Sequence, residues 1–259
     1  MTIRLCISGI SGRMGQIVER LARADAEIDP ILGIDAVIPR PADGLFGPAR
    51  LEEALRQVDV LLGFTNNPQA AVEQTHKAAE LGVKVVIATT GFSEEQEQIL
   101  RALACKVPLI KASNFSLGIN LLEQIVAQIA GALPWGYHPE IVEEHHARKL
   151  DAPSGTAETL AKAVAKGWKL DATKLIERGR SGRAKEVRRH DTIGIQAVRG
   201  GNIAGNHQVL FAGPSENIRV CHEALSPQVF AEGALVAVKW IFQQDKPGWY
   251  SMARVLGLE

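Results

Sequence analysis

The N-terminal stretch constrains the fold more than any other part of the chain. Ile3 to Ser8 is a short, apolar, β-branched run and reads as a strand. It leads directly into Gly9-Ile10-Ser11-Gly12-Arg13-Met14-Gly15. Ile17, Val18, Leu21 and Ala22 then recur at helical spacing. Strand, glycine turn and helix in that order open a dinucleotide-binding βαβ unit. The glycines there have separate tasks. One permits the tight turn, one lets backbone approach a pyrophosphate, and one allows the helix to pack closely on the strand. The spacing is GxxGxxG and not GxGxxG. Gly12 and Gly15 fit the second and third tasks, and Gly9 stands one residue earlier than the fingerprint expects. A plain glycine-rich turn is the competing reading.

The next apolar run, Ile31 to Asp35, places Asp35 about 20 residues after Gly15, where an acidic side chain accepts hydrogen bonds from the adenosine ribose. A carboxylate at that point repels a 2′-phosphate, so Asp35 argues for NADH over NADPH. Arg13 and Arg40 pull the other way, because either could pair with that phosphate. Both cofactors stay open, and Asp35 could also be a strand-end residue that starts a turn.

Residues 36 to 50 are rich in Pro and Gly and read as a loop, followed by a short helix over Leu51 to Gln57. Further apolar runs at Val58 to Phe64, Lys84 to Ala88 and Val107 to Ile110 alternate with helical segments. Ser93 and Gln96 form a capping box at one helix start. Continuous apolar strands separated by helices imply a doubly wound parallel sheet buried on both faces. The carboxyl end of each strand carries small or polar residues: Gly9 to Gly15, Phe64-Thr65-Asn66, Thr89-Thr90-Gly91 and Ser113-Asn114-Phe115. Ligands of such sheets bind along that edge.

The pattern changes after a helix over Leu117 to Ala132. Gly194 to Val198, Gln208 to Ala212 and Asn217 to Cys221 read as strands with no helices between them, hence an antiparallel or mixed sheet in a second domain. Helical periodicity returns over Phe230 to Phe242, and the tail beyond it is expected to pack on the first domain's sheet. The division is therefore 1–114 plus 234–259 for dinucleotide binding and 115–233 for the second domain. With 259 residues, both have room for a core.

The second domain contains the densest chemistry: Glu143-Glu144-His145-His146-Ala147-Arg148-Lys149-Leu150-Asp151-Ala152-Pro153-Ser154-Gly155-Thr156-Ala157. A Ser-Gly-Thr at a helix start offers backbone N–H groups and the positive end of the dipole to an anion. The histidines and Lys149 add proton donors and charge beside it. This suits protonation or reduction of a small anionic substrate. A metal site is disfavoured, since adjacent strand residues point to opposite faces and HExxH is absent. The same alternation makes a structural role for His146 a serious competitor. His76, His138, His190, His207 and His222 stand isolated and read as structural or surface residues.

A net charge of zero gives no general field for nucleic acid or acidic membranes. The basic segment 178–189 lacks interleaved aromatics and reads as a solvated or subunit-contact loop with the charge to draw an anion. Cys6, Cys105 and Cys221 are few, scattered and without CxxC, so each reads as a small buried hydrophobe in a reducing compartment. No apolar run approaches the ~20 residues of a membrane span, and the chain starts directly on a strand. A cytoplasmic location is expected.

Assembled, these motifs resemble the dihydrodipicolinate reductases, also called 4-hydroxy-tetrahydrodipicolinate reductases, of lysine biosynthesis. The resemblance runs over nearly the whole chain and is carried by Gly12-Arg13-Met14-Gly15, Phe64-Thr65, Thr89-Thr90-Gly91-Phe92, Asn114-Phe115-Ser116 and, above all, His145-His146 through Ala157. It implies a cofactor domain for NADH or NADPH and a mixed-sheet substrate domain that builds a homotetramer. It implies a cyclic dicarboxylate substrate that loses water and takes a hydride. By the same resemblance His145 is the general acid and Lys149 the supporting cation. His146, Ser154, Gly155 and Thr156 hold substrate. Gly9, Gly12, Arg13, Met14, Gly15, Asp35, Phe64, Thr65, Thr89, Thr90, Gly91, Asn114 and Phe115 border the cofactor. No metal is implied. Four residues depart from the family's usual pattern: Gly63, Ala88, Asn206 and Pro227. Two other classes compete. A semialdehyde dehydrogenase would need a cysteine at a helix start in the second domain, and Cys221 lies within an expected strand. A non-catalytic NAD-binding regulator would need no His145–Lys149 cluster.

Overall fold

The computed structural model describes residues 2–36, 44–134, 136–183 and 186–259. Contacts divide the chain into two compact units, Met1–Leu117 with Gln228–Glu259, and Gly118–Pro227.

In the first unit the chain runs β1 (Ile3–Ser8), α1 (Arg13–Arg23), β2 (Ile28–Ile34), β3 (Leu45–Phe46), α2 (Leu51–Leu55), β4 (Val60–Gly63), α3 (Pro68–Glu80), β5 (Lys84–Ile87), α4 (Glu94–Leu103) and β6 (Pro108–Lys111). The second unit contains α5 (Leu117–Ala132), β7 (His138–His145), α6 (Gly155–Trp168), β8 (Ile176–Arg178), β9 (Ile193–Arg199), β10 (Asn206–Ala212) and β11 (Asn217–Glu223). The chain then returns to the first unit with α7 (Gln228–Phe242), β12 (Gly248–Tyr250) and α8 (Met252–Val255).

The first unit's seven strands lie in the order β12-β6-β5-β4-β1-β2-β3, and every pairing is parallel. Alternate residues supply two separate cores. Leu5, Ile7, Leu62, Val86 and Ile110 pack with Val18 of α1 and Ala234 and Val238 of α7. Cys6, Leu61, Val85 and Leu109 pack on the opposite face with Leu55, Val72 and Leu100. Burial on both faces is why these strands read as unbroken apolar runs. Asp59, the charged residue beside that run, accepts from the Arg4 guanidinium at 3.0 and 2.5 Å. The Ser93–Gln96 capping box is formed in both directions, at 3.0 and 3.2 Å.

The structure departs from the sequence reading at several points. Residues 36–50 are not all loop: β3 pairs with β2 through Gly33 and Ile34, and a 3₁₀ turn spans Pro48–Arg50. A two-residue strand is too short to leave a periodic signal. Arg40, invoked for a 2′-phosphate, lies outside the described residues. Among the cysteines, Cys6 is buried, and that burial pushes its thiol up to about 12. Cys105 and Cys221 are exposed, contrary to expectation. Cys105 sits just past α4, and Cys221 is on the outermost strand of its sheet, which has one neighbour.

The second unit is a five-stranded mixed sheet ordered β11-β10-β7-β9-β8. β7 and β8 run parallel to β9, while β10 is antiparallel to β7 and β11. Ile141, Ile193, Ile195, Val209 and Phe211 turn one face toward Leu122, Val126, Leu160 and Val164 of the two helices. β8 is absent from the sequence reading, because three residues leave no periodic signal, and its last, Arg178, opens the basic segment. That segment is tied down locally: Arg178 meets Glu158, Arg180 and Arg188 share Glu140, and Arg189 meets Asp191.

Candidate active site

All strands of the first sheet being parallel, its carboxyl ends gather at one edge the segments after β1, β2, β4, β5 and β6. Gly9 adopts φ +78°, and a Cβ there would lie 2.9 Å from the Phe64 carbonyl and the Thr65 nitrogen. Gly9 therefore makes the tight turn despite its early position, seating the loop against the end of β4. A Cβ on Gly15 would lie 2.2 Å from the Gly9 oxygen, so α1 packs on the loop without side-chain clearance. Gly12 is the N-cap of α1, with no side-chain cap and no acidic residue in the first turn. The N–H groups of Arg13, Met14 and Gly15 thus face a position whose dipole suits a phosphate. One oxygen of Asp35 accepts from the Ser11 N–H at 2.9 Å, so this carboxylate also braces the loop. These features fit a bound dinucleotide.

The other strand ends divide into two kinds. Thr89 is buried, and its hydroxyl donates to the Thr65 carbonyl at 2.7 Å, tying the ends of β5 and β4 together. Thr90 and Gly91 are exposed, with Gly91 at φ +82°. The Asn114 side chain accepts from the Ser116 N–H at 2.8 Å. Phe115 is only 2% exposed and packs in the core, so its ring does not line the site, and only its backbone lies at that edge. Ala88 contacts the same core and pairs its N–H with the Gly63 carbonyl at 2.8 Å.

In the second unit, β7 alternates strictly: Pro139, Ile141, Glu143 and His145 face inward. Glu143 is fully buried. Its Oε1 accepts from Arg199 Nη2 at 2.7 Å and from the Ser154 N–H at 3.0 Å. Its Oε2 accepts from Arg199 Nη1 at 2.9 Å and contacts His145 Nδ1 at 2.5 Å. Strand register assembles this cluster. Arg199 of β9 lies opposite His145, and His207 of β10 lies opposite Glu143. His207 Nε2 is 3.2 Å from the Ser154 hydroxyl, and its ring meets the His145 ring edge-on with centroids 5.2 Å apart.

Burial alone would push the Glu143 carboxyl up. The Arg199 fork, His145 and the Ser154 N–H outweigh it and hold the group below the usual carboxylate range. Burial pushes the His145 imidazole down, and Glu143 offsets part of that shift. His207 is pushed down to about 3, by burial first and by the proximity of His145 second, so it is neutral near pH 7.

Ser154 caps α6, with its hydroxyl accepting from the Ala157 N–H at 3.2 Å. Both its N–H and its hydroxyl thus serve the protein itself. The helix itself starts with Gly155, which is exposed, and Thr156, which is half-buried. Lys149 is partly exposed and pairs with Asp151 at 2.9 Å. His146 follows the last residue of β7 and is half-buried, and its enclosed Nδ1 has no hydrogen-bond partner among the described residues.

The structure thus brings His145, Ser154 and the Gly155–Thr156 helix start together around two residues given no role in the sequence reading, Glu143 as a partner of histidine and Arg199. Three of the histidines read as isolated are not. His207 belongs to this cluster, and His138 Nε2 lies 2.8 Å from His190 Nδ1. Glu143 could have been flagged by its position two residues before His145 on a strand, which puts both on one face. Arg199 and His207 carry no local signal, because only strand pairing delivers them. Asn206 donates to Glu144 at 3.1 Å, on the face away from the cluster. Among the described residues no group of three or more His, Cys, Asp or Glu could hold a metal ion, and no helix is long and apolar enough to cross a membrane.

A parallel Rossmann-type sheet and a mixed-sheet unit with a buried acid–imidazole pair beside a helix start define a two-domain NAD(P)H-dependent oxidoreductase. The comparisons make the class specific. Residues 3–115 match the family model for the dihydrodipicolinate reductase N-terminus, and residues 118–256 match that for its C-terminus. The 4-hydroxy-tetrahydrodipicolinate reductase of Thiobacillus denitrificans is 40% identical over 270 residues, covering 100% of both chains. That of Caulobacter vibrioides is 39% identical over 261 residues, covering 99% of this chain and 98% of its own. A dipicolinate-bound dihydrodipicolinate reductase from Paenisporosarcina sp. TG-14 superposes with a TM-score of 0.79 at 26% identity, covering 97% of this chain and 98% of that one. The chain belongs to the dihydrodipicolinate reductase family.

Proposed function

We propose that the chain reduces 4-hydroxy-tetrahydrodipicolinate, with loss of water, to tetrahydrodipicolinate on the diaminopimelate route to lysine, and that His145 is its general acid. The observation that carries the acid assignment is the His145–Glu143 pair at the end of β7, beside the α6 helix start. The cofactor supplies the hydride when bound. Gly9, Gly12, Arg13, Met14 and Gly15 hold its pyrophosphate, Asp35 its ribose, and Phe64, Thr65, Thr90, Gly91 and the Asn114 turn border its nicotinamide end. Thr89 and Phe115 support that edge from within.

Hydride addition to the conjugated imine left by loss of water places negative charge on the substrate. A proton from His145 Nε2 neutralises it, so one hydride and one proton complete the reduction. The substrate's two carboxylates need two clamps. Lys149 offers a cation, exchanging Asp151 for substrate, and Gly155 and Thr156 offer backbone N–H groups at the positive end of α6. His146 lies three residues before Lys149 and contacts bound substrate. A dianionic ligand raises the proton affinity of the nearby imidazole, so the acid is charged when substrate is in place.

The Asp35 carboxylate favours NADH over NADPH at the ribose. A homotetramer and a cytoplasmic location complete the reading. The test follows oxidation of NADH and NADPH in parallel, with substrate made freshly by a coupled synthase, for the wild type and for His145→Asn. Turnover by the wild type and its near-abolition in the variant are expected. An equally active variant refutes the acid assignment.

A further inference from the structure

We infer that Glu143, clamped by Arg199, is a positioning residue that holds His145 in a single tautomer, with Nδ1 protonated and turned inward and Nε2 as the atom that transfers the proton. This rests on His145 being the acid of the reaction above.

The argument is one of hydrogen-bond bookkeeping in a buried site. A guanidinium has only donors and an ionised carboxylate only acceptors. Arg199 gives Glu143 two N–H groups, one to each oxygen, and Ser154 gives a third. Three donors on a fully buried carboxyl keep it ionised, and its lowered proton affinity agrees. A carboxylate without a proton can meet His145 Nδ1 only as acceptor, so the proton in the 2.5 Å contact belongs to Nδ1. In the neutral ring Nε2 is then the basic nitrogen, and in the charged ring it carries the proton to be given away.

Space at Nε2 is also arranged. Gly205 has φ +151°, and a Cβ there would stand 3.0 Å from Nε2. The bare α-carbon leaves that side of the ring open. The charged and titratable groups facing His145 are Glu143 on its own strand, Arg199 from β9, His207 from β10 and Lys149 from the segment after β7. Of these only Glu143 is an anion. It alone opposes burial and the two cations, so its charge decides whether the imidazole can accept a proton at all.

Glu143→Gln keeps the shape and removes the charge. We expect kcat to fall on the order of 10–100-fold with substrate KM changed by less than about threefold. The loss of rate with rising pH should move to lower pH, because the acid form is lost earlier. In ¹⁵N-histidine spectra the wild type should show neutral His145 as the Nδ1–H tautomer, and the variant a mixture. A residue that merely fills the core would lower Tm and leave the pH profile and tautomer unmoved, and that result overturns the inference. If Glu143→Gln does not fold, the wild-type spectrum decides alone, since an Nε2–H tautomer is incompatible with the inference. An inactive His145→Asn beside a Glu143→Gln indistinguishable from wild type would refute the positioning role and leave the acid assignment standing.

Discussion

Gly15→Ala tests the cofactor loop most sharply. The added methyl would lie 2.2 Å from the Gly9 oxygen, 2.6 Å from the Ile10 α-carbon and 2.7 Å from the Ile10 oxygen. All three are backbone atoms, so no rotamer change relieves the clash. To regain ordinary contact beyond 3.4 Å, α1 and the loop must separate by about 1 Å. Overpacking of this kind costs roughly 1–3 kcal/mol. For a unit of this size that lowers Tm by roughly 3–10 °C. The same movement pulls the N–H groups of the first turn from the pyrophosphate, and a loss of about 1.4 kcal/mol there weakens NADH binding about tenfold. The assays are thermal unfolding and titration of nicotinamide fluorescence. Two controls bracket the effect. Gly12→Ala would meet only the Gly9 oxygen, at 3.2 Å, and Gly155→Ala meets nothing within 4 Å. Both should leave Tm nearly unchanged. A Gly15→Ala protein with the wild-type Tm and NADH affinity would refute the packing role given to this glycine.

Three further expectations follow from the geometry. Lys149→Met removes the cationic clamp and should lower kcat/KM for substrate by about 100-fold while leaving NADH affinity unchanged, with steady-state kinetics and cofactor titration as the readouts. Asp35→Ser removes the carboxylate that repels a 2′-phosphate and should raise the NADPH-to-NADH ratio of kcat/KM by about tenfold, whereas an unchanged ratio would remove Asp35 from cofactor selection. His207 binds its proton near pH 3 when folded but near its ordinary value of 6.5 when unfolded. Between those values the unfolded chain holds more protons, so this residue makes stability fall as pH drops from 6.5 toward 3. His207→Asn should flatten the urea midpoint across that window, and an unaltered slope would show that His207 is not neutral in the fold.

Much of the architecture was legible in the chain itself. Unbroken apolar runs alternating with helical periodicity specify a parallel sheet, because only burial on both faces demands such runs. The glycine loop was legible because a close approach of backbone to backbone excludes side chains, and that exclusion is written in residue type. The capping box at Ser93 and Gln96 was equally plain, being local. Short or edge elements were not: β3 and β8 exist through their partners, and the exposure of Cys221 follows from an edge position.

The active site divides along the same line. His145, Lys149 and the Ser154–Thr156 turn lie within a dozen residues and could be read as one device. Arg199 and His207 reach that device only because β9 and β10 flank β7 in register, and no local pattern encodes a register between strands more than fifty residues apart. Sequence alone thus determined which groups the chain brings to the proposed site: an imidazole, an ammonium and a helix start. Tertiary structure decided how that chemistry is set. A buried carboxylate survives only if cations and N–H groups from distant strands converge on it, and that convergence assigns the His145 proton to one nitrogen.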